Sequence, residues 1–127
     1  MMTRVLPTVA FLAAAPLALA GDISGFWKHP EAPAWIEISL AEGKGTVVRN
    51  DKFPERVGRE IVTDLQADGS TANLWRGQVY AERLGEYKQA AISLPAPDRM
   101  EIEVKVGLMS RTIAWERVDE VPSTSAQ

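Results

Sequence analysis

Few residues in this chain are equipped to do covalent chemistry. Its 127 residues include one histidine, His29, and no cysteine. A serine nucleophile needs a histidine placed on it, and a tight zinc site needs several histidines or thiolates. His29 lies between Lys28 and Pro30 and reads as an exposed loop residue. Joined by Glu31 and a distant carboxylate it is the one conceivable nucleus of a metal site, and a single imidazole is too little for tight binding. Glu101 and Glu103 are spaced like an acid–base pair. They alternate with Met100, Ile102 and Val104, so on a strand they face water, and solvated carboxylates make poor general acids. The residues therefore point to no catalytic group, no cofactor and no metal, and an enzyme is not expected.

The aromatic residues are better suited to binding. Trp35, Trp75, Tyr80 and Tyr87 are able to line an apolar pocket or to pack a core. With Ile38 and Ile113, three of them (Trp35, Trp75 and Tyr87) make up the candidate lining of a site for an apolar or amphipathic small molecule.

These side chains must be positioned by strands, because the main signal is alternation with a period of two. In Met100-Glu101-Ile102-Glu103-Val104-Lys105-Val106 four apolar residues point one way and three charges the other. Ile36, Ile38 and Leu40, then Trp75, Gly77 and Val79, then Ala90, Ile92 and Leu94, then Ile113 and Trp115 alternate similarly. With Ser24 to Lys28 and Thr46 to Arg49 they make seven candidate strands. Turns are expected at Glu42-Gly43-Lys44-Gly45, Asp68-Gly69-Ser70, Arg83-Leu84-Gly85-Glu86 and Pro95-Ala96-Pro97-Asp98. Val57, Ile61, Val62 and Leu65 fall at helical spacing, and a short helix or a bent strand fits residues 57–65 equally. Short strands joined by turns predict an all-β fold: a small antiparallel up-and-down barrel of seven to eight strands, with at most one short helix.

The first twenty residues read as an address. Arg4 precedes an apolar run from Val5 to Leu19, which ends in Ala18-Leu19-Ala20 before polar Gly21-Asp22. That pattern predicts a cleavable secretory signal over 1–20, cut between Ala20 and Gly21, and a periplasmic or secreted protein. The barrel is then expected over 21–118 and a disordered polar tail over 119–127. After the cut, 13 Lys and Arg face 17 Asp and Glu, with no basic block, so nucleic acid is not an expected partner. No second apolar stretch is long enough to span a bilayer.

Gly25-Phe26-Trp27 at the start of the first strand resembles the opening motif of lipocalin-like barrels. That resemblance implies a tryptophan at the closed end, with an arginine of the last strand across its ring. Here Arg111 and Arg117 share a parity with Ile113 and Trp115, and Gly25, Trp27, Arg111, Trp115 and Arg117 are the candidate closure residues. A closer resemblance runs through Val57-Gly58-Arg59-Glu60-Ile61, Leu74-Trp75-Arg76-Gly77-Gln78-Val79-Tyr80 and Val106-Gly107-Leu108-Met109-Ser110-Arg111-Thr112-Ile113-Ala114-Trp115-Glu116-Arg117. With Gly25-Phe26-Trp27-Lys28 in front, the chain resembles the exported bacterial family catalogued as domain of unknown function 2147. Membership implies a lipocalin-like antiparallel barrel and no established activity. Many members carry a cysteine pair where this chain has Asn50 to Arg56.

Two functions follow as expectations. One is an envelope protein that binds a lipid or another apolar small molecule inside its barrel. The other is a filled barrel that meets another envelope protein through its surface. Interior volume separates them: an open cavity favours the ligand, and a filled interior with an exposed apolar patch favours the partner.

Overall fold

The computed structural model describes residues 22–123; the expected signal at 1–20 and the last four residues of the tail lie outside them. Eight antiparallel strands follow in order: β1 (Gly25–Lys28), β2 (Ala34–Ser39), β3 (Lys44–Asn50), β4 (Glu60–Ala67), β5 (Leu74–Ala81), β6 (Glu86–Ala96), β7 (Arg99–Val106) and β8 (Met109–Val118). Each pairs with its sequence neighbour, and β8 returns to β1, so the sheet closes into a barrel. The closing register sets Phe26 against Val118, Trp27 against Arg117 and Lys28 against Glu116. Closure leaves no free sheet edge, which a small β domain must otherwise protect.

Alternation puts Ile36, Ile38, Val62, Trp75, Ile92, Met100, Ile102 and Trp115 into one interior cluster around Trp27, which is fully buried. No polar or charged side chain is buried among the described residues. The core is therefore held by apolar burial, about 25 cal/mol for each Å² removed from water.

The segment at 57–65 resolves as a bent strand preceded by one turn of 3-10 helix at Pro54–Arg56. Its helix-like spacing has a local cause. The β4–β5 register slips between Thr63 and Gln66, where Asp64 adopts a left-handed φ of 54°. That bulge turns both Val62 and Leu65 inward, three residues apart, as a helix would. Across from it stands Gly77. A Cβ there would meet the Thr63 carbonyl oxygen at 2.9 Å and the Leu65 Cα at 3.3 Å, so the kinked backbone needs a glycine opposite.

Within the expected tail, residues 121–123 lie beside the end of β3, where the Pro122 carbonyl accepts a hydrogen bond from Arg49 Nη1.

Candidate functional site

The end of the barrel nearest Arg117 is sealed. Arg117 Cζ lies 4.4 Å from the centre of the Trp27 ring, and its three nitrogens donate to the carbonyls of Pro97, Ser24 and Asp22 at 2.7, 3.0 and 2.6 Å. A planar guanidinium suits that fork of acceptors better than an ammonium. Trp27 Nε1 donates to the Ile23 carbonyl at 2.9 Å. Gly25 has a φ of 131°, and a Cβ on it would stand 3.0 Å from Arg117 Nη1. The Gly-x-Trp pair is thus explained by what it packs against. Of the two candidate arginines, Arg117 stacks and Arg111 does not. Arg111 has the right parity but sits opposite Val104, six residues up β8, roughly 20 Å away at strand rise. Trp115 belongs to the interior cluster and meets the His29 ring edge to face at 5.0 Å.

His29 is half-buried, a correction to its expected exposure. Its Nδ1 accepts hydrogen bonds from the backbone N–H groups of Glu31 and Ala32, both at 3.0 Å. Desolvation first, and Lys28 second, lower its pKa from the usual 6.5, while Glu31 opposes them. An Nδ1 already accepting two N–H bonds holds no lone pair for a metal or a substrate proton. Among the described residues no three His, Cys, Asp or Glu side chains gather as metal ligands.

The five candidate lining residues divide. Ile38 and Trp75 are in the interior cluster and Ile113 packs against it. Trp35 and Tyr87 are on the outer face. Trp35 pairs with Lys28 and Arg49, whose cationic groups cover its ring at 5.3 and 4.9 Å. That cover, and not the core, leaves it 9% exposed. Tyr87 is 40% exposed and stacks edge-on against Tyr80 at 5.2 Å. Its hydroxyl donates to the Glu60 carbonyl at 2.7 Å. Beside it Arg59 covers the Tyr80 ring and pairs with Glu82. Tyr87 therefore ties the β5–β6 hairpin to the start of β4, and Tyr80 ties it to Arg59 of the preceding loop.

Two hollows lie on the outside. A groove of about 620 Å³ runs between the end of β3, the 51–57 loop and the tail, past Val48, Val57 and Val121. A hollow of about 480 Å³ spreads over β4 to β7, edged by Arg76, Gln78, Gln89 and Glu103. The interior holds Trp27, Trp75 and Trp115 instead.

The unsealed end carries a feature that sequence reasoning missed. Leu108 and Met109, at the β7–β8 turn, are 107% and 73% exposed, and Val106 and Leu84 are also exposed. Turns are usually polar, so Gly107-Leu108-Met109 was the available signal. The up-and-down strand order puts the β5–β6 turn, which holds Leu84, at the same end of the barrel, and the exposed aliphatics of these two turns make up its rim. Among the described residues no helix is long and apolar enough to cross a membrane. Compared with known proteins, the chain matches no family model, no curated sequence and no solved structure.

Proposed function

We propose that this protein is a non-catalytic binding module exported to the cell envelope, and that it binds from the rim of its barrel. The observation that carries this is the inversion of apolar surface. The inside is occupied by three tryptophans and their aliphatic neighbours, while Leu108, Met109 and Leu84, the most exposed aliphatic residues described, stand on two hairpins at one end of the barrel. Exposed apolar clusters on a small domain mark interaction sites. The leader-like pattern at 1–20 supports export, and the closed barrel with its Gly25-Trp27-Arg117 seal suits the resemblance to the exported barrel family.

Fractionation tests the reading. The wild-type protein is expected to sediment in part with envelope material. The variant Leu108→Asp with Met109→Asp, folded by near-ultraviolet circular dichroism, is expected to stay fully in the soluble fraction. Equal distribution of the two would overturn the rim as the working surface.

A second reading keeps a small apolar ligand at the mouth. Val79, Val104 and Ile113 are only partly buried against the core and face the unsealed end, enough for one end of an alkyl chain. Titration with fatty acids or lysolipids would then shift tryptophan emission and raise the melting temperature. The rim reading expects neither change at monomeric lipid concentrations.

A further inference from the structure

The rim is charged as well as apolar, and its charges differ from those elsewhere. Of the Lys and Arg side chains in the described residues, Arg83, Lys105 and Arg111 make no ion pair or hydrogen bond. The other ten are engaged: seven with carboxylates, Lys28 and Arg117 with carbonyl oxygens, and Lys52 over the Phe53 ring. All three free cations flank the exposed aliphatics. Lys105 and Arg111 stand on the two arms of the β7–β8 hairpin and Arg83 precedes Leu84 on the neighbouring turn. No acidic residue occurs from 104 to 115. Nearby Glu86 is paired with Lys88 at 2.8 Å, and Glu103, on the same outer face as Lys105, makes no ion pair with it. The chain as a whole is acidic, with a formal charge of −3, so this is a local positive site on a negative molecule.

We infer that the rim docks on an anionic lipid bilayer, with Leu108 and Met109 entering the headgroup boundary and Lys105, Arg111 and Arg83 meeting lipid phosphates. The inference rests on the rim being the working surface and names what it meets. Three points favour a bilayer over a protein. Leu108 stands at a convex tip, which a deformable acyl boundary receives without a shaped pocket. The three unpaired cations complement anionic lipid phosphates, and no acidic residue from 104 to 115 offsets them. The geometry also fits: Gly107 and Leu108 form the turn beyond Val106, so Lys105 stands about two strand rises, roughly 7 Å, behind the tip, within the ~5–10 Å depth at which interfacial apolar groups settle beneath the phosphates.

Flotation of the exported protein with vesicles is the test. It is expected to float with phosphatidylglycerol–phosphatidylethanolamine vesicles and not with phosphatidylcholine vesicles, and to be released by salt. Lys105→Gln with Arg111→Gln should weaken partitioning about 25-fold, roughly fivefold for each cation lost near the surface. Leu108→Asp should abolish it, and Arg76→Gln, in an ion pair on the outer sheet face, should leave it unchanged. No flotation with phosphatidylglycerol vesicles, or flotation indifferent to Lys105, Arg111 and Leu108, overturns the bilayer as partner. If flotation fails while envelope sedimentation still depends on Leu108, a protein partner takes the bilayer's place and the rim keeps its role.

Discussion

At the scale of single residues, the clearest dependence is on Trp27 and Arg117. Trp27→Ala should cost about 3–5 kcal/mol through the cavity left at the centre of the core. Trp27→Phe keeps most of the packing but leaves the Ile23 carbonyl without its donor, which should cost about 1–3 kcal/mol. Denaturant unfolding measures both. Arg117→Lys retains the charge and loses the fork to Pro97, Ser24 and Asp22, so it should recover only a minor part of what Arg117→Ala loses. His29 makes a pH prediction with a definite sign. Its pKa in the folded chain is lowered from 6.5, so the unfolded chain binds the proton more readily. The contribution of His29 is complete above the unfolded value of 6.5 and is lost as pH falls below it, because protonated Nδ1 no longer accepts from Glu31 and Ala32. Melting temperature should fall between pH 7 and 5, and His29→Asn, whose Oδ1 keeps an acceptor near the same place, should flatten that fall. An unchanged slope in His29→Asn would remove His29 as the cause.

At the scale of elements, the β4 bulge controls how the sheet curves. Gly77→Ala drives a methyl group against the Thr63 carbonyl and Leu65 and should destabilise by about 1–3 kcal/mol. Asp64→Gly removes a side chain from a left-handed backbone and should be neutral or stabilise by up to ~1 kcal/mol. Thermal melts check both, and a stable Gly77→Ala protein would deny the bulge its tight fit. This element also shows what the sequence makes legible. Simple alternation finds β2, β5, β6, β7 and β8 because each has one buried face. It misreads β4, since one extra residue at Asp64 converts a period of two into a spacing of three. Parity alone also separates Tyr87 from Ala90, Ile92 and Leu94, and Trp35 from Ile36 and Ile38. Both are aromatic and able to line a pocket, yet cations on Trp35 and a carbonyl on Tyr87 are enough to hold them outside.

At the scale of the whole molecule, the barrel has one end sealed by Arg117 and Trp27 and one end that exposes Leu108 and Met109. The sealed end is legible in Gly25, Trp27 and Arg117, because stacking and close packing require particular residue types. The rim is not legible through periodicity, because hairpin tips have no period, and its meaning depends on two turns far apart in sequence becoming neighbours. The sealed end and the packed interior are why contact is proposed at the rim. A photoreactive amino acid at position 108, compared with one at Glu37 on the exposed outer face of β2, tests this most directly in intact cells. The account predicts a discrete adduct from position 108 and none from position 37. An adduct from position 37 with none from position 108 would contradict it.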